Sequence, residues 1–127
     1  MGPELPGPTT KDIKSGALGS VDVLVVPDGS AATGEKELGG AGVRAVRDWV
    51  AAGGRFVGLS GGAAFGGRAG LTTAILSSPS SDVPGSMIRA DVDTGSPLAA
   101  GVGSEVYPYY EYDPVLVASD PASVAVS

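Results

Sequence analysis

A short apolar run, Arg55-Phe56-Val57-Gly58-Leu59, meets a turn of small residues at Ser60-Gly61-Gly62. A second apolar stretch, Ala63-Ala64-Phe65, starts straight after it. A buried strand that breaks sharply into a helix has this pattern, and it leaves Ser60 at the tip of the turn. Gly58-Leu59-Ser60-Gly61-Gly62 also matches the G-x-S-x-G pattern of a serine nucleophile elbow. The chain has 21 glycines and 14 serines, and a random order of that composition gives roughly 0.4 such matches. The strand-to-helix setting therefore carries the turn, and the pattern alone does not make Ser60 a nucleophile. The chain contains no histidine and no cysteine, so the usual base for such a serine is absent.

The residues before the turn define the fold class. Val21-Asp22-Val23-Leu24-Val25-Val26 is β-branched and nearly all apolar, as expected of a strand buried on both faces. Pro27-Asp28-Gly29-Ser30 ends it with turn chemistry, and Ala31 to Gly40 reads as a small, polar crossover. Val43, Val46, Trp49 and Val50 then fall at helical spacing, with Arg44, Arg47 and Asp48 on the other face. Gly53-Gly54 closes this helix as a left-handed C-cap requires. Strand, amphipathic helix and strand over about 40 residues form a βαβ unit, so Val21–Val26 and Phe56–Leu59 should run parallel. The expected class is α/β, flavodoxin-like, with a mostly parallel sheet and flanking helices.

The remaining segments are less constrained. Residues 1–16, with Pro3, Pro6 and Pro8, read as a flexible N-terminal segment that becomes ordered near Ile13 to Leu18, and residues 17–127 read as the domain. Ala63 to Ala69 should form a short helix ended by Gly70. Ser77 to Asp82 is a polar loop. Met87 to Asp93 alternates as a half-exposed strand, with Ile88, Ala90 and Val92 on one face. Pro97 to Ala100 suits one helical turn. Tyr107-Pro108-Tyr109-Tyr110-Glu111-Tyr112 holds every tyrosine of the chain, and Val115–Val117 and Val124–Val126 are short strand candidates.

Bulk properties exclude several classes. At 127 residues the chain is one domain, able to bury about two-thirds of its unfolded surface. The net charge of −6, without a basic cluster, argues against nucleic acid as a partner. No apolar run is long enough to span a membrane, and no signal peptide is visible.

Several segments have a chemical reading beside a plainer one. A hydrolase built on Ser60 would need Lys11, Lys14, Lys36 or a carboxylate as its base, and none has a spacing that suggests pairing with Ser60. The amides of Gly61 and Gly62, with the start of the following helix, could instead hold a small anion whether or not Ser60 reacts. Pro27 to Gly34 follows a strand but lacks the Gly-Lys-Ser/Thr ending of a phosphate loop, so a plain connection is favoured. A flavin-binding module is a further, weaker reading. Asp91 and Asp93 share a strand face that could hold calcium, or, with Arg89 beside them, form a solvated charged face. The tyrosines could be a sugar or peptide platform, or pack a loop with their hydroxyls outward. Trp49 reads as core.

The ordered stretch Ala17-Leu18 and Val21 to Gly29, then Arg47-Asp48-Trp49-Val50-Ala51-Ala52-Gly53-Gly54-Arg55-Phe56-Val57-Gly58-Leu59-Ser60-Gly61-Gly62, resembles the class I glutamine amidotransferase-like fold. There a strand ends in a Pro-Gly-Gly type turn, a helix ends in paired glycines, and the next strand ends in a G-x-C-x-G elbow. Asp82 to Asp93, with Ser96-Pro97-Leu98-Ala99-Ala100-Gly101, is similar more narrowly to the amidotransferase-like domain that follows the catalytic domain in bacterial zinc carboxypeptidases. The resemblance covers about Ala17 to Val126. Ser60 stands where the family has its nucleophilic cysteine, Asp28 replaces a glycine of the turn that contributes to the oxyanion hole, and the catalytic histidine has no counterpart. The chain also begins after the fold's usual first strand and stops before its last elements, as a fragment or a reduced version would. An exposed sheet edge would then favour a homodimer.

The resemblance thus implies a non-catalytic accessory domain of a secreted bacterial zinc carboxypeptidase. It would pack on the peptidase catalytic domain of the same polypeptide, and the zinc would belong to that domain, with no metal or cofactor in this chain. The ligand-binding candidates are Asp28, Gly29, Ser60, Gly61 and Gly62, and Ser60 is the catalytic candidate of the alternative, a serine esterase or amidase.

Overall fold

Thr9 starts the first helix. Its hydroxyl accepts the Asp12 amide at 3.3 Å while the Asp12 carboxylate accepts the Thr9 amide at 2.9 Å, a reciprocal capping box. The helix α1 (Thr10–Lys14) and a 3-10 turn at Ala17–Ser20 bury Ile13 and Leu18, so the order expected near these residues begins with a helix. In this computed structural model, residues 7–77, 83–111, 115–118, 120 and 124–126 are described. Residues 1–6, residues 78–82 of the expected polar loop, and Tyr112 lie outside them.

The elements that follow are β1 (Val23–Val26), α2 (Ala31–Ala51), β2 (Arg55–Gly58), α3 (Gly61–Arg68), β3 (Ile75–Ser77), β4 (Ser86–Met87) and β5 (Ala90–Asp91). After a 3-10 turn at Pro97–Ala99 come β6 (Glu105–Val106), β7 (Tyr109–Tyr110) and β8 (Val115–Val117). The chain divides into two compact units, Met1–Thr72 and Thr73–Ser127.

In the first unit β1 and β2 pair in parallel, Val23 opposite Arg55 and Val26 opposite Gly58, as the βαβ reading requires. Leu24, Val26 and Phe56 face the helices and join Ile13, Leu18, Leu38, Val46 and Phe65 in the core. The opposite face is open: Val23, Val25 and Val57 are 44%, 54% and 42% exposed. The expectation of a first strand buried on both faces is therefore corrected, because the helices of this unit pack on the Leu24 side alone.

The helix α2 is longer than expected. Its first turns occupy Ala31 to Gly40, a crossover on sequence grounds, and Gly39 (φ 62°, ψ 174°) kinks it in the middle. Leu38, Gly42 and Val46 form its buried stripe, and α1 packs against it. The chain leaves α2 through Gly53 at φ 105°, the left-handed exit that a helix C-terminus favours.

The second unit is antiparallel throughout its described pairs: β3 with β8, β4 with β7, β5 with β6, and a bridge from Val92 to Val126. The parallel character expected of most of the sheet is thus confined, among the described residues, to β1 and β2. The expected strand over Met87 to Asp93 is interrupted at Ile88 and Arg89. One register runs through both of its parts, Ser86 opposite Tyr110 and Asp91 opposite Glu105. The gap lies opposite Tyr107 and Pro108. Ile88 donates its amide to the Pro108 carbonyl at 3.0 Å, and proline has no N–H to return.

Candidate functional site

The turn between β2 and α3 is the elbow anticipated from sequence. Ser60, at φ 47° and ψ −111°, is the one non-glycine residue at positive φ among those described. Such a backbone costs on the order of 1–3 kcal/mol and persists only where its surroundings enforce it. Here they do so through close backbone approach. A Cβ on Gly61 would run into the Gly29 carbonyl, one on Gly62 into the Val26 carbonyl, and one on Gly58 would lie 2.6 Å from the Gly62 carbonyl. The start of α3 is therefore pressed against the end of β1, and the motif's glycines are required by packing whatever chemistry Ser60 performs.

The far end of α3 is fixed by α2. Arg47 donates from Nε (3.1 Å) and Nη2 (2.7 Å) to the Ala69 carbonyl, supplying partners to a helix C-terminus whose carbonyls lack them. Arg68 reaches back to Glu35 at 2.6 Å, a half-exposed ion pair of small energetic value. Phe65 lies beside Phe56, ring centroids 6.1 Å apart.

The residue brought to Ser60 is Asp28. Its Oδ1 accepts the Gly61 amide at 2.9 Å. The Gly61 amide foremost, then the Ser60 hydroxyl and the Gly29 amide, hold the Asp28 carboxyl below the usual carboxylate range. The second candidate amide is also committed, since Gly62 donates to the Leu59 carbonyl at 2.8 Å. Of the five sequence candidates, Asp28, Gly29, Ser60 and Gly61 thus converge on one hydrogen-bonded cluster, and Gly62 sits in its backbone.

This arrangement looks like a nucleophile with a carboxylate base, but its charges run the wrong way. A base must be strong enough to take the serine proton, and three donors have made the Asp28 carboxylate weaker than an ordinary one. The amide after the nucleophile is the first donor that an elbow offers to a developing oxyanion. Here it points at a carboxylate, which would repel that charge. Of the lysines considered as bases, Lys36 lines a groove on α2 with Val43, Arg44 and Arg47, and the Lys14 side chain lies over Gly42.

Beside this cluster a cavity of about 420 Å³ opens between α1, α2 and the end of β1. Glu37, Leu38 and Phe65 line it together with Asp28, Gly29 and Gly61. Sequence reasoning misses Glu37 and Leu38 because Ala31–Gly40, rich in small and polar residues, does not read as a helix. The i, i+4, i+8 spacing of Leu38, Gly42 and Val46 is the signal that could have found them.

The other candidates resolve into local structure. Ser30, in the segment weighed as a phosphate loop, is the N-cap of α2 and accepts the Thr33 amide at 3.3 Å. Arg89 pairs with both Asp91 and Glu105 at 2.9 Å, and Asp93 accepts the Gly95 amide at 3.0 Å. The two aspartates therefore serve different partners. Tyr107 and Tyr109 are more than half exposed, and the Tyr107 hydroxyl donates to Glu105 at 3.1 Å.

No family model matches the chain, and no curated protein matches it. Among solved structures, a Thermoplasma acidophilum protein described as a GMP synthase subunit superposes with a TM-score of 0.63 at 18% identity. The match covers 91% of this chain and 56% of that one, so the chain spans a little over half of that protein's length. The likeness is one of fold: an α/β domain.

Proposed function

We propose that this chain is a non-catalytic domain of amidotransferase-like fold that serves interaction or ligand binding. The observation that carries this reading is the Asp28 carboxylate on the Gly61 amide, which places a negative charge where an acyl-transfer reaction would have to build one. In place of a reactive centre the elbow has a hydrogen-bonded tie between two loops.

The finer reading follows the sequence resemblance. The domain belongs to a secreted bacterial zinc carboxypeptidase and packs on the catalytic domain of the same polypeptide, and the zinc is held there. The open, apolar face of β1 and β2, to which Leu59 (53% exposed) adds, supports an interaction role. Parallel strands are ordinarily covered on both faces.

Two experiments test these levels separately. Hydrolysis of a p-nitrophenyl ester by the purified chain should be the same for wild type and Ser60→Ala; turnover that Ser60→Ala abolishes would establish the serine hydrolase instead. The reading frame encoding Met1 should continue upstream into a peptidase domain with a His-x-x-Glu ligand pair. A stop codon just before Met1 would end the carboxypeptidase assignment and leave the non-catalytic reading intact.

A further inference from the structure

We infer that the cavity between α1, α2 and the end of β1 is a binding site for a small amphipathic cation, an ammonium group on an apolar body. Its volume of about 420 Å³ lies within the range of small-molecule sites. Its walls are Ile13, Leu24, Leu38, Val46 and Phe65, all of them buried members of the core. An apolar body seated there would exchange water for hydrocarbon where it meets these walls.

The charge of the rim selects the head group. Asp28 and Glu37 line the cavity, and no lysine or arginine does. Asp28 is already engaged by Gly61. The Glu37 carboxylate, on the exposed side of α2, makes no hydrogen bond or ion pair among the described residues. It is the carboxylate left to receive a cation. A carboxylate or phosphate ligand would meet two like charges and no compensating base, so the occupant differs in sign from the anion that the elbow suggests on sequence grounds. The chain's net charge of −6 favours the approach of a cation further.

This inference deepens the ligand-binding part of the proposed function and uses no chemistry of Ser60. Its test is calorimetric titration of the full chain, at low salt and pH 7, with three ligands sharing one body: 4-phenylbutylammonium, 4-phenylbutan-1-ol and 4-phenylbutanoate. The ammonium should bind about tenfold more tightly than the carboxylate, and more tightly than the alcohol. Glu37→Gln should narrow the ammonium's advantage several-fold. Gly34→Leu should abolish binding, because a Cβ there would stand 3.8 Å from the Phe65 ring and the remainder of the side chain would fill the cavity. The Glu37→Gln comparison decides the matter even if Gly34→Leu does not fold. Equal binding of the alcohol, tighter binding of the carboxylate, or no saturable binding of the ammonium would each overturn the inference. None of these results bears on Ser60 reactivity, so a failure here is distinguishable from a failure of the non-catalytic reading.

Discussion

The Asp28 carboxylate and the Gly61 amide meet at 2.9 Å, joining the loop after β1 to the first residue of α3 across 33 positions of chain. The start of α3 thereby has a fixed internal anion, a favourable place for negative charge. The same contact determines how the protein should respond to acid.

Asp28, bonded by Gly61, Ser60 and Gly29, and Asp12, bonded by the Thr9 hydroxyl and amide, both have carboxyls lowered from their ordinary value. A group with a depressed folded pKa stabilises the fold above its unfolded pKa, and that contribution disappears as pH falls through the folded value. The urea midpoint of wild type should therefore exceed that of Asp28→Asn at pH 7. The gap should be constant from pH 6 to 8 and close as the pH falls below the ordinary carboxylate range. A gap that persists unchanged in acid would show that Asp28 acts through shape and not charge.

Gly61→Ala should destabilise by about 3 kcal/mol, because its Cβ has to displace the Gly29 carbonyl. Gly29→Ala, across the same contact, meets nothing within 4 Å and should change stability by less than about 0.5 kcal/mol. Chemical denaturation of the pair checks this contrast.

The two-armed bond from Arg47 to the Ala69 carbonyl should make Arg47→Lys a poor replacement, since an ammonium cannot reproduce a planar fork. Both Arg47→Lys and Arg47→Ala should lose about 1–2 kcal/mol in urea titrations. Hydrogen exchange should localise the loss to amides at the end of α3.

How much of the fold is legible in the sequence varies with how local its cause is. Val23–Val26, Arg55–Gly58 and the exit at Gly53 follow from β-branching and glycine chemistry, which act within a few residues. The first half of α2 is hidden because Gly34, Gly39 and Gly40 lower helix propensity, while the packing that holds it, Leu38 against α1, comes from a distant segment. The helix α1 does have a local sign, Thr9 three residues before Asp12, but the prolines around it suggest a tail. At the elbow the turn itself is legible. The pairing of Asp28 with Gly61 is not, because it depends on how closely two loops approach. By resemblance Asp28 stands where a glycine is expected, whereas the structure places its carboxylate on the Gly61 amide.

Val46 is fully buried on the second half of α2, at the point where the cavity meets the core. Val46→Ala should cost about 2–3 kcal/mol. Added 4-phenylbutylammonium should recover part of that loss in a thermal melt, because a ligand that binds only the folded state raises its stability.

Under the proposed reading, the Asp28 carboxylate on the Gly61 amide keeps Ser60 from acting as a nucleophile. Intact-mass measurement after incubation with a fluorophosphonate probe puts this to the test, with Ser60→Ala as the control. No adduct should form on either protein. A single adduct on wild type that is absent from Ser60→Ala would show an activated serine and contradict the non-catalytic reading.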